Sequence, residues 1–291
     1  MAEITKFDIE TWITTIATGE FYYKNVCGLD RAVLTPKDDS KIRKYLWELS
    51  HSDHPIIESV GRNDGRYRPI ENSFAPVDFT SLRPRDFPLA LPFDLRKYIF
   101  VYPDSCGIVA GSKSSGKTGF IYRAAALNMK NIHTVLLSNM EGGKELMYDR
   151  FMAMGIDLAT VPNFAYQVFE HFHDKIKDRN TLYLIDYIDA PEGDDFYLIG
   201  AQVKKIDRKL QGLNSVAIIG LQKPVMRDTA FGGEQTLKVA SWYVAMDSSK
   251  LKIIDAKVPA DKKVHPKNMS FTFLYSDSGT SFSNITPYYG E

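Results

Sequence analysis

Only two cysteines occur in the 291 residues, Cys27 and Cys106, and their separation leaves no disulfide framework and no thiolate metal spacing. Net charge is missing too. With 36 basic side chains against 36 acidic ones, no overall field draws the chain to nucleic acid or to an anionic membrane, and any such binding has to come from a local patch. No apolar run approaches the ~18 residues of a membrane span, and the opening Met1-Ala-Glu-Ile-Thr-Lys6 lacks the apolar stretch of a secretion signal. The expectation is a soluble, cytoplasmic protein with no membrane partner. Internal repeats and low-complexity tracts are likewise absent. What is present is a hydrophobic fraction of 44%, enough for a core in one large domain or in a large one plus a small one.

The segment from Gly111 through Ser112, Lys113, Ser114, Ser115 and Gly116 to Lys117 and Thr118 fits the phosphate-loop pattern G-x-x-x-x-G-K-[ST]. An apolar strand-like run, Cys106–Ala110, precedes it, and a helix from Gly119 to Asn128 follows. Small residues let successive backbone N–H groups turn inward around phosphates, Lys117 reaches the β and γ oxygens, and the Thr118 hydroxyl is placed to ligate Mg2+. The positive end of the following helix, at Gly119, points at the same anion. The bland alternative is a glycine-rich connection, which the flanking strand and helix disfavour.

Residues 1–72 read as a small α+β unit. Asp8–Ile16 has apolar side chains at helical spacing behind a capping Asp, with Gly19 as a stop, and Asp38–Leu49 repeats that pattern with Lys41, Arg43 and Lys44 off the apolar stripe. Ile56–Pro69 predicts a hairpin around the Asp64-Gly65 turn, with Arg62, Arg66 and Arg68 on or beside it. Helices followed by a basic hairpin resemble a winged-helix domain, whose helix and wing contact DNA. A protein-docking unit with solvated arginines is the alternative, because acidic residues balance the basic ones. Residues 73–103, with recurring prolines and no period, predict a linker. Beyond it, 104–291 alternates apolar strand-like runs with helical stretches, as expected of a mostly parallel sheet covered on both faces.

Three strand ends supply chemistry. Asn131–Ser138 runs into Glu141, a candidate base for orienting and deprotonating water, or else a helix-capping or surface carboxylate. Thr181–Asp186 is apolar up to its terminal acid, the Walker B form, so Asp186 is expected to hold Mg2+ with Thr118. Ser215–Leu221 ends at Gln222, whose amide can sense a γ-phosphate and pass the signal to the loop Lys223–Gln235. In that loop Lys223, Arg227, Gly232 and Gly233 fit a DNA or partner contact as well as a subunit-packing loop. The histidines lack companions at ligand spacing, apart from a surface grouping of His171, His173 and Asp174. Trp12 and Trp47 fall at apolar helical positions of the small unit's core, whereas the Tyr22-Tyr23 and Tyr288-Tyr289 pairs have the makings of base-stacking surfaces.

Taken in order, Gly111–Thr118, Ser138–Arg150 with Glu141, Leu184–Ile188 with Asp186, and Gly220–Gln222 resemble the RecA-like ATPases. The likeness is greatest to the branch of DnaB-type replicative helicases with their KaiC and RadA relatives. That resemblance implies an α/β RecA-like core, ATP with Mg2+, and an active oligomer, ring or filament. It also implies that Lys257, after Leu251–Lys257 and before Phe271–Tyr275, stabilises transition-state charge in a neighbouring subunit. Helicases of this branch carry Lys-x-Arg there, but Val258-Pro259 follow Lys257. The stretch Asp189–Asp195 is acidic and would repel DNA in a central channel. ATP-gated action on DNA in replication, recombination or a mobile-element context, beside other proteins of those processes, is therefore expected before processive unwinding. A nucleotide-switched protein scaffold is the alternative from another class, and a ring helicase a third.

Overall fold

The protein is described from a computed structural model, which covers residues 4–17, 19–28, 35–61, 64–70, 86–160, 164–189, 196–225, 227–276 and 280–288. The chain divides into two compact units, Met1–Leu82 and Arg83–Glu291.

In the first unit, α1 (Lys6–Thr15) and α2 (Pro36–Ser50) each begin with a closed capping box. Thr5 and Thr35 accept from the N–H three residues on, and Asp8 and Asp38 reach back to the cap. Both helices thus start ahead of the aspartates that signal them in the sequence. Strands β1 (Phe21–Tyr22), β2 (Ile57–Ser59) and β3 (Arg66–Pro69) form an antiparallel sheet in the order β1-β3-β2. The β2/β3 hairpin pairs Ile57 with Pro69 and Ser59 with Tyr67. Ile9, Ile13, Val26, Ile42, Leu46, Leu49 and Ile57 fill the core between helices and sheet. Trp12 is half-buried and packs edge-on against Phe21 at 5.1 Å. Trp47, in contrast to its expected core place, is 59% exposed and stacks on His51. The Tyr22-Tyr23 pair is no stacking surface either, since Tyr23 is buried in the core.

The second unit is α/β. Its strands are β4 (Ser105–Gly111), β5 (His133–Ser138), β6 (Ala165–Gln167), β7 (Thr181–Ile188), β8 (Val216–Gln222), β9 (Trp242–Asp247), β10 (Lys250–Ala256), β11 (Ser270–Ser276) and β12 (Ser281–Tyr288). They make one sheet in the order β12-β11-β10-β9-β4-β8-β7-β5-β6. Every pairing from β9 to β6 is parallel, and the β9-to-β12 edge is antiparallel. The parallel strands are buried on both sides, which explains their unbroken apolar runs. Alternate residues feed two cores. Val109, Leu136 and Leu184 face α3 (Lys117–Asn128) and α4 (Gly143–Ala153), while Ile108, Leu137 and Ile185 face α5 (Tyr197–Leu210). A short helix, α6 (Glu234–Val239), precedes β9.

Of the stretch read as a linker, residues 71–85 lie outside the described residues, and the rest is packed. Phe87, Leu89, Leu91, Phe93, Leu95, Ile99 and Val101 are buried in the α3-side core. Asn128, itself buried, clamps this segment by exchanging two hydrogen bonds with the Ala90 backbone, at 2.7 and 2.8 Å. Prolines break its periodicity, so the apolar side chains that seat it carry no helical or strand signature.

Candidate active site

Parallel strands with crossover helices bring their carboxyl ends to one edge of a sheet, and there ligands gather. Gly111 ends β4 and is in register with Gln222 at the end of β8. Between Gly111 and α3 the loop turns through left-handed backbone at Ser114 (φ 60) and Gly116 (φ 98). A side chain on Gly111 would place its Cβ 2.2 Å from Ser115 Oγ, so the loop closes this tightly only with glycine there. The Ser115 hydroxyl is buried and has no hydrogen-bond partner. An orphaned hydroxyl in a loop of this pattern suits a phosphate oxygen.

Lys117 opens α3 and donates to the carbonyls of Gly111 and Ser112, both at 3.0 Å. Burial pulls its pKa down, and the nearby Asp186 and Glu141 partly restore it. Thr118 Oγ1 donates to Asp186 Oδ1 at 3.1 Å. Asp186 is only 3% exposed, and burial raises its carboxyl to about 6, against the opposing Thr118 hydrogen bond and the charges of Lys117 and Arg150. Hard oxygen donors side by side at the foot of a phosphate loop fit a hydrated Mg2+. Glu141 sits exposed on the turn from β5 to α4.

Lys117, Thr118, Glu141, Asp186 and Gln222 line one cavity of about 620 Å³, together with Lys113, Ser114, Ser115 and Gly116. That volume is in the range of small-molecule sites. Five further lining residues, Gly142, Leu146, Arg150, Tyr187 and Tyr275, were given no role from sequence. Tyr275 stacks on Phe282 with ring centroids 5.2 Å apart, and both rings approach Gly116. No local signal marks Tyr275, because only the sheet order carries β11 and β12 back to the loop.

Lys257 lies elsewhere. Its strand β10 ends beside Trp242, which pairs with Gly107 near the start of β4, at the edge of the sheet opposite the phosphate loop. Its amine donates to the Lys238 and Val239 carbonyls at 2.9 and 3.2 Å, closing the last turn of α6.

The expected DNA contacts separate into distinct cases. Lys223 is corrected outright: it is 2% exposed, its amine is 2.7 Å from Asp247 Oδ1, and its N–H donates to the Gly111 carbonyl. It braces the phosphate loop, because an uncompensated buried cation is costly and β9 offers the compensating acid. Arg227 is exposed. In the first unit, Arg43 pairs with Asp39 at 3.1 Å and lies over the Tyr23 ring, and Lys44 is 3.9 Å from Glu48. Arg66 pairs with Asp64 and Glu20, and Arg68 with Glu58. Lys41 is half-buried. Arg62 and residues 190–195 of the acidic stretch lie outside the described residues. Asp189 is exposed. His171, His173 and Asp174 bring ligating atoms within 4.8 Å of one another at the surface. Tyr288 is 41% exposed beneath the Lys250 amine, and Tyr289 is outside the described residues. Among the described residues, no helix is long and apolar enough to cross a membrane.

No family model and no curated protein matches the chain. Among solved structures it is similar to the RadB recombinase, with 14% identity over 61% of this chain and 90% of that one and a TM-score of 0.45.

Proposed function

We propose that the second unit binds ATP with Mg2+ and hydrolyses it. One observation carries the reading: a phosphate loop with an orphaned buried hydroxyl, a Thr118–Asp186 oxygen pair, Glu141 and Gln222 all face one cavity. Backbone N–H groups of the loop and the start of α3 hold the phosphates. Lys117 leaves its two backbone carbonyls to meet the β and γ oxygens. Thr118 and Asp186 hold the metal, which when bound neutralises charge developing on the phosphates. Glu141 takes the proton of the attacking water, and the Gln222 amide reads whether a γ-phosphate is present.

The test is steady-state turnover. Glu141→Gln is expected to lower kcat at least a hundredfold while ATP still binds, and undiminished hydrolysis in that variant rejects the assignment of the base.

For the first unit we propose a winged-helix role on DNA, supported by its β1-β3-β2 sheet and the basic side chains of α2 and the hairpin. A protein-docking scaffold is favoured by one specific observation, the matching of Arg43, Arg66 and Arg68 with carboxylates. Duplex binding across a salt series separates the two. Affinity that falls steeply with salt, and is weakened by Arg66→Ala and Arg68→Ala, supports DNA, whereas no binding at low salt supports docking. Self-association belongs to the same proposal, and a mass increase with a non-hydrolysable ATP analogue is its sign.

A further inference from the structure

A cation already matched by a carboxylate has less left for a polyanion, and Arg43, Arg66 and Arg68 of the first unit are matched by Asp39, Asp64 and Glu58. The second unit holds a different set. On α5, Lys204, Lys205, Arg208 and Lys209 are all exposed. They recur at i, i+1, i+4 and i+5 and so share one face, with Lys204 and Arg208 about 6 Å apart along the axis. The opposite face is apolar and seats Ile199, Val203, Ile206 and Leu210 in the core. Phe172 and Ile176 enter that same core from the connection between β6 and β7, so the turn Phe172–Lys175 packs against α5. The connection brings three more exposed cations, Lys175, Lys177 and Arg179. It is tied just past the carboxyl end of α5: the Asn180 N–H donates to the Leu213 carbonyl at 3.0 Å, and Ser215 Oγ donates to the Asp178 carbonyl at 2.9 Å.

Among the described residues, no carboxylate lies within ion-pair distance of any of these cations. The acids between them are engaged or withdrawn. Asp174 stands 3.5 Å from His173, half-buried Asp207 accepts the Cys106 thiol at 3.8 Å, and Asp178 is half-buried. Arg208 and Lys209 also compensate the negative end of α5, but Lys204, Lys205 and the cations of the connection lie outside its last turn. No large apolar or aromatic side chain is exposed among the described residues of α5 or from 171 to 180. That denies the face the anchor of a protein interface or of a membrane-surface helix, and it offers unstacked bases no Phe, Tyr or Trp platform. A field of unmatched cations without such anchors suits a row of phosphates. We propose that this face of α5 and the β6–β7 connection binds the phosphate backbone of duplex DNA without reading its sequence. The site needs no nucleotide. It ends at the sheet edge opposite the phosphate loop, where the Gly212 N–H just past α5 meets Asp104 Oδ2, ahead of β4, at 3.1 Å.

The experiment is fluorescence anisotropy of a labelled DNA duplex with the full chain across a salt series. Wild type is expected to bind at low salt and to lose affinity steeply as salt rises. Lys204→Ala with Lys205→Ala, and separately Lys177→Ala with Arg179→Ala, should each weaken binding about tenfold at low salt and flatten the log–log salt slope by about two. Lys204→Arg with Lys205→Arg keeps the charge and should bind within about twofold of wild type. Equal loss in the arginine pair and the alanine pair overturns the proposal, as the mark of altered packing of α5. Arg66→Ala with Arg68→Ala reports on the first unit, so loss there beside full affinity in both second-unit pairs overturns the proposal and leaves the first-unit reading in place. No duplex binding by wild type at low salt also overturns it, as does tighter binding to polyglutamate or to phosphatidylserine vesicles than to the duplex.

Discussion

Asp186 shows how the site trades stability for chemistry. In an unfolded chain its carboxyl titrates at 3.8, and burial raises it to about 6 in the folded one. Between those values the folded state binds the proton more tightly, so the stabilisation is fully present below pH 3.8, is lost as pH rises towards 6, and is absent at 7. At neutral pH the fold holds this buried carboxylate at a cost on the order of 2–3 kcal/mol. Asp186→Asn keeps an acceptor for Thr118 and removes that charge. It is expected to raise the melting temperature at pH 7 by roughly 4–10 °C, with the gain shrinking towards pH 4, while Mg2+-dependent turnover disappears. Scanning calorimetry at several pH values checks this, and a variant no more stable than wild type at pH 7 contradicts it. Lys117 has the same logic with the opposite charge, its amine lowered by burial until a phosphate arrives.

At the scale of elements, the phosphate loop is held by three others. Gln222 and Lys223 extend β8 alongside Gly111, Asp247 at the end of β9 pairs with Lys223, and the β11/β12 hairpin sets Tyr275 and Phe282 against Gly116. Gly116 sits at φ 98, and a Cβ there would also lie 3.3 Å from Phe282. Gly116→Ala should cost about 1–2 kcal/mol of stability and weaken nucleotide affinity at least tenfold; equilibrium unfolding and a nucleotide titration measure the two effects. Much of this was legible in advance. Gly111–Thr118, Asp186 and Gln222 advertise themselves because each motif is local and sits at a strand end, where its neighbours in sequence are its neighbours in space. The braces were not legible. Burial of Lys223 depends on Asp247 from a strand on the far side of β4, and Tyr275 reaches the loop only through the sheet order. Trp47 misleads in the other direction, since an apolar side chain near a helix stripe carries no mark of which turn it faces.

For the molecule as a whole, every residue placed at the cavity lies in the unit Arg83–Glu291. The first unit carries the charges whose partner is in question. The sequence reads as a small α+β unit, a linker and an α/β unit; the segment from Phe87 to Val101, read as linker, is core packed under α3, and its prolines concealed that. Zero net charge means that a partner is recognised by one face and not by a general field. The claim on which the rest depends is that this unit clasps a metal–triphosphate, and equilibrium titration with a fluorescent ATP analogue tests it most directly. With Mg2+, wild type is expected to bind saturably at one site per chain and Lys117→Ala to bind at least tenfold more weakly. No saturable binding by wild type, or equal binding by both proteins, would contradict the account.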